Sequence, residues 1–145
     1  MPDRRVFTLE EASALLPRLS ALIAQQLERR TDIEAELSKL ADRTGSVPDG
    51  VVLEPDDPPD VRALKNDLLK RLHEYQSGWS EVEDAGVVVK DTRIGLLDFY
   101  SRVEGKLVFL CWKYGEDAIT HYHDIEAGFA GRKPIVGAVK ARLYN

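Results

Sequence analysis

The stretch LLDFYSRVEGKLVFLCWKY, residues 96–114, decides the fold. It holds two runs of β-branched, aromatic and leucine residues, 96–103 and 106–114, separated by Glu104 and Gly105, and such runs around a two-residue turn read as a β-hairpin. A two-residue loop fixes the register, with Val103 opposite Lys106, Tyr100 opposite Phe109 and Asp98 opposite Cys111. Alternation then assigns the faces. One carries Leu97, Phe99, Val103, Val108, Leu110 and Trp112 and is apolar enough to pack on helices. The other carries Asp98, Tyr100, Arg102, Phe109 and Cys111.

Upstream of the hairpin, residues 87–89 supply a third short β-run, joined to it by a looser turn at residues 92–95. Before Gly86 the apolar period is helical. Thr8 and Glu11 form a capping box that starts a helix at Leu9, with Phe7 just outside it. Leu9, Ala12, Leu16, Leu19, Ile23, Leu27, Ile33, Leu37 and Leu40 then make one stripe to about Ala41. Pro17 lies inside this pattern and predicts a kink over residues 13–17. Gln26 and Arg30 interrupt a strict heptad seam, which favours packing within the chain over a long coiled coil.

Residues 42–60 hold two glycines and four prolines and read as a connection. Pro58 or Pro59 suits the first turn of a second helix, whose stripe is Val61, Leu64, Leu68, Leu72, Tyr75, Trp79 and Val82. The expected fold class is α+β. A long antiparallel helical hairpin precedes a small three-stranded antiparallel sheet and a C-terminal loop segment, as one domain over residues 1–135 with a loose tail at 136–145. The first helix is the longer, so part of its stripe is expected to await a cover, which a second copy of the chain would supply as a homodimer through the helices.

Composition narrows the function. There are 25 acidic and 20 basic residues, a formal net charge of −5, so the overall field repels phosphate backbones and nucleic acid is not expected. The basic pairs Arg4 with Arg5 and Lys140 with Arg142 are too small to reverse this. The single cysteine, Cys111, allows no internal disulfide, and Met1–Pro2–Asp3–Arg4–Arg5 has no apolar signal core behind it, which together predict a cytoplasmic location. No apolar run approaches the ~20 residues of a membrane span.

Chemistry concentrates on the second hairpin face, where Asp98 and Cys111 lie among aromatic rings and would titrate abnormally. The bland alternative pairs Asp98 with Arg102 along the same face and leaves Cys111 an inert thiol. Downstream, His121 and His123 project to one side if their segment is extended, and with Asp98 and Glu126 they offer ligands for a divalent metal ion, though not at the spacing of zinc proteases. Residues 128–134 form a glycine-rich turn that delivers Arg132 and Lys133, suited to a small anion such as a carboxylate or phosphate. Trp79 and Trp112 fall on apolar stripes and read as core. Cys111 as a nucleophile would need a base such as His123 within reach.

The blocks Phe7-Thr8-Leu9-Glu10-Glu11-Ala12 with Leu15-Leu16-Pro17, then Gly95, Leu97, Asp98 and Phe99, then Cys111-Trp112, Gly115-Glu116, His123, Gly128 to Arg132 and Pro134-Ile135 resemble the prokaryotic family called domain of unknown function 2203. Tyr100 and Tyr122 depart from the proline and tryptophan expected there. The resemblance implies no activity. It singles out Asp98, Cys111, Glu116, His123 and Arg132 as the polar members of the shared blocks, to be gathered around the sheet. The reading is therefore a binding module with a small-ligand or metal site on the sheet. A helical interaction module that binds itself or a protein partner, and a small metal-dependent enzyme, are its competitors.

Overall fold

The computed structural model describes residues 5–46 and 49–136. Helix α1 spans Leu9–Thr44 and α2 spans Pro59–Asp84; five strands follow, β1 (Val88–Asp91), β2 (Leu96–Val103), β3 (Lys106–Lys113), β4 (His121–Asp124) and β5 (Lys133–Pro134). The strands form one antiparallel sheet in the order β1-β2-β3-β4-β5, a plain meander. The α+β class stands, and the sheet has five strands where three were expected. The additional pair comes from the segment read as a C-terminal loop. The chain divides into two compact units, one made of the chain up to Ile23 and from Glu81 onward, the other of Ala24–Ser80.

In the sheet-bearing unit, α1 starts as its capping box dictates. The Thr8 hydroxyl accepts from the Glu11 amide at 3.0 Å, and the Glu11 carboxylate accepts from the Thr8 amide at 2.8 Å. Pro17 sits within the helix, which continues past it unbroken. The segment before the helix lies along β2. The Phe7 amide donates to the Tyr100 carbonyl at 2.7 Å, and the buried Ser101 hydroxyl donates to the Phe7 carbonyl at 2.7 Å. Phe7 meets Phe99 edge-on at 5.4 Å between centroids. Leu97, Phe99, Val108, Leu110 and Trp112, all from the face expected to be apolar, are buried together with Ala12, Leu16, Leu19 and Ile23 of α1. Gly95, at φ 66°, presses so closely on Ile23 that a Cβ there would lie 2.8 Å from its side chain.

In the other unit, the second half of α1 and most of α2 run antiparallel. Asp32 pairs with Arg71 and Arg43 with Asp60, so partner numbers fall on one helix as they rise on the other. Ile33, Leu40, Val61 and Leu68 form its core, flanked by Leu37, Val51, Leu64, Leu72 and Tyr75. Gln26, the polar interruption of the stripe, is buried and satisfied. Its amide donates to the Tyr75 carbonyl at 2.7 Å, and its oxygen accepts from Arg29 at 2.7 Å. Gly78 makes the room, since a Cβ there would fall 2.0 Å from the Gln26 oxygen.

Among the described residues, no large apolar side chain of α1 is fully exposed, and Leu9, Leu27 and Leu37 of its stripe are half-buried. The stripe is divided between the two units. The helix also exceeds its expected end, reaching Thr44, whose hydroxyl donates to the Leu40 carbonyl at 2.9 Å. No helix among the described residues is long and apolar enough to cross a membrane. The expected loose tail falls, beyond Val136, outside the described residues, as do Arg4, Lys140 and Arg142.

Candidate functional site

The hairpin register is the expected one, with Val103 opposite Lys106, Tyr100 opposite Phe109 and Asp98 opposite Cys111. Both turn residues have the positive φ that such a turn demands, 52° at Glu104 and 80° at Gly105. Strand β4 then adds His123 opposite Phe109 and His121 opposite Cys111. Alternation therefore puts Asp98 of β2, Cys111 of β3 and His123 of β4 on one face, opposite to the face that meets Phe7.

These three side chains meet in the interior. Asp98 is 1% exposed, Cys111 1% and His123 2%, and their ligating atoms lie within 4.8 Å of one another. His123 Nε2 stands 3.1 Å from Asp98 Oδ2, while His123 Nδ1 stands 2.8 Å from the Asp124 carbonyl. A carbonyl only accepts, so Nδ1 carries a hydrogen, and a neutral ring then presents the bare lone pair of Nε2 to the carboxylate. Two acceptors at that distance need a proton or a cation between them. The other carboxylate oxygen, Asp98 Oδ1, is buried with no hydrogen-bond partner, a state that costs free energy unless something fills it.

Electrostatics agree with the geometry. Burial pushes the Asp98 carboxyl above the usual carboxylate range, against the opposing pull of His123, Lys90 and the Cys111 thiol. Burial, reinforced by the charge of Asp98, pushes the Cys111 thiol up to about 11, although the neighbouring Arg132 draws it down. A thiol so placed is a poor nucleophile in the absence of a cation, because the thiolate is the reactive form.

Arg132 and Glu116 belong to the surroundings of Cys111. Arg132 Nη1 lies 3.5 Å from Glu116 Oε2, both side chains being about three-quarters buried, and the Arg132 guanidinium stacks on Phe129. Glu116 is anchored by the Lys113 amide, which donates to its carboxylate at 2.7 Å, and its carbonyl accepts from the Trp112 indole at 3.0 Å. The short 3-10 turn Phe129–Gly131, entered through Gly128 at φ 68°, delivers Arg132.

Two expected members stand elsewhere. Arg102 donates to the Gly105 carbonyl at the turn and does not pair with Asp98; four residues along a strand is about 13 Å, too far for the pairing. Glu126 is exposed in the turn after β4, which ends at Asp124. His121 shares the face of His123, but its Nδ1 engages the Thr120 hydroxyl at 2.9 Å. One residue of the site was not anticipated. Lys90 of β1 holds its ammonium 3.9 Å from Asp98 Oδ2 and 4.6 Å from the centre of the Phe109 ring. Val88 opposite Asp98 gives the clue, but the irregular register between Val89 and Asp91 conceals it.

Fold and cluster together define an α+β protein in which two long helices precede an antiparallel meander carrying a buried Asp–Cys–His group. The chain belongs to the family of uncharacterized conserved proteins DUF2203, whose sequence profile matches residues 5–135. No curated protein and no solved structure matches it.

Proposed function

We propose that the protein binds one divalent transition-metal ion through Asp98, Cys111 and His123. The observation that carries this reading is the facing pair of acceptors, His123 Nε2 and Asp98 Oδ2, with Nδ1 already committed to a backbone carbonyl. Metal-bound histidines commonly donate the other ring N–H in this way, which fixes the ring for ligation. The unsatisfied Asp98 Oδ1 is a further acceptor waiting for a cation.

A thiolate, an imidazole and a carboxylate form a borderline donor set that suits zinc, cobalt or nickel and does not suit magnesium or calcium. Bonds of ~2.0–2.3 Å to a shared ion place donors roughly 3.5 Å apart. The three donor atoms lie within 4.8 Å of one another, so the cluster has to draw together a little to share an ion. Three protein donors leave a coordination position for an outside ligand, the pattern of reactive rather than structural zinc.

The test is elemental analysis of the purified protein together with cobalt titration after chelation. Cobalt should give a near-ultraviolet thiolate band that Cys111→Ser abolishes. Zinc at a hundred times its Kd should stabilise the wild type by about 2.7 kcal/mol. A protein that carries no metal and whose melting temperature ignores zinc, cobalt and nickel would dispose of the proposal, leaving a proton shared by Asp98 and His123.

A further inference from the structure

We infer that the outside ligand of this metal is an oxyanion, held with one oxygen on the ion and another on the Lys90 ammonium. The inference rests on the metal-binding reading and extends it to the class of ligand. Its basis is the charge around the cluster. A divalent ion bound by a carboxylate, a thiolate and a neutral imidazole is formally neutral. Beside it, the Arg132 guanidinium is matched by Glu116 at 3.5 Å. Lys90 has no such second partner: among the described residues its one carboxylate within ion-pair distance is Asp98, at 3.9 Å.

Metal binding takes that partner away. Once Asp98 gives its charge to the ion, the ammonium is left beside a site with no net charge to hold it, partly shielded over the Phe109 ring. Water in the open position would leave this cation unmatched, whereas an oxyanion supplies both a donor atom to the metal and a charge-assisted hydrogen-bond acceptor to the lysine. Lys90 is also the most accessible charge beside the cluster. Lys90 sits on β1, at one edge of the meander, and its side chain is 40% exposed, whereas Asp98 and His123 side chains are each 2% exposed. The lysine is therefore the member of the group that solvent and a dissolved anion can reach.

The experiment uses the full chain loaded with cobalt and follows the visible absorption during separate titrations with acetate, bicarbonate and phosphate, which distinguish a carboxylate, a carbonate and a phosphate as the preferred source. The wild type should show a saturable change with at least one of them. Lys90→Gln should weaken that anion by about tenfold, the factor carried by one lost charge-assisted hydrogen bond. The same variant should bind cobalt at least as tightly as the wild type, because a competing cation has gone, and Lys90→Arg should recover most of the anion affinity. Arg102→Gln, at the far end of the same face, should change nothing. A cobalt spectrum indifferent to all three anions, or equal anion affinity in Lys90→Gln and wild type, overturns the inference while the metal site stands. Absence of the cobalt–thiolate band in the wild type removes both.

Discussion

Replacing Asp98 with asparagine should make the metal-free protein more stable at neutral pH, while removing its response to metal. The side chain is 2% exposed, its Oδ2 faces a lone pair and its Oδ1 has no hydrogen-bond partner. Asparagine keeps the shape, loses the charge and can donate from its amide to His123 Nε2. The remaining amide oxygen stays unpaired, at a cost of about 1–3 kcal/mol, but a buried carboxylate with the same orphan costs more. The net gain is about 1–2 kcal/mol, or roughly 3–6 °C in melting temperature for a chain of this size. The pH dependence has a definite sign. Burial raises the folded-state pKa of Asp98, so its contribution is fully present below the unfolded value of ~3.9 and is lost as pH rises through the raised value. The advantage of Asp98→Asn should accordingly be small at pH 4 and grow toward pH 8. Thermal melts in chelator across that range measure it, and saturating zinc should reverse the ranking by lifting only the wild type. A variant less stable than wild type by more than about 1 kcal/mol at every pH in chelator would show that the charge of Asp98 belongs to a structural ion pair, and the argument from facing acceptors would fail.

Other consequences follow from single contacts. Cys111, buried and with its thiol pushed up to about 11, should resist a disulfide reagent at pH 8 in the folded, metal-free protein and react at the rate of unfolding; fast stoichiometric labelling would contradict its burial. Thr8→Ala removes the hydroxyl half of the capping box and should lower stability by about 1 kcal/mol in urea titration, with Thr8→Ser restoring it. Gly78→Ala gains about 1 kcal/mol of helix propensity but displaces the Gln26 amide, and should be destabilising overall by about 1–3 kcal/mol. Combined with Gln26→Ala it should cost less than the sum of the two single changes; strict additivity in the double-mutant cycle would show that the two sites do not touch.

Much of this architecture is legible in the sequence because local signals agree. The capping box at Thr8, the helical spacing from Ala12 to Leu40 and the two-residue turn at Glu104 and Gly105 each rest on contacts between near neighbours, and each is found where expected. What escapes are features set by distant pairing. Strand β4 has four residues, of which two are histidines and one aspartate, and β5 has two residues, one of them proline. The strand state of β4 comes from Phe109 and Cys111 across the ladder, and that of β5 from His121 and Tyr122 of β4 in turn, more than from their own preferences. The same limit governs the site. Asp98, Cys111 and His123 can be named from chemistry and alternation, but the same face also admits Arg102, because a face says nothing of distance along it. Lys90 is hidden from such a reading because an irregular pairing next to it shifts the count.

The turn at Glu104 and Gly105 lies well away from the buried cluster, yet it governs which donors belong to it. A strand offers its side chains alternately to opposite sides, so one inserted residue that slid β3 by a single step against β2 would send Cys111 to the side of Phe7 and bring Leu110 or Trp112 into its place. The buried Asp–Cys–His group would be dismantled with every one of its members intact. Drift in that loop is therefore constrained twice over, by the backbone angles it must adopt and by the cluster it aligns several residues away, and screens that mutate only Asp98, Cys111 and His123 will overlook the second constraint.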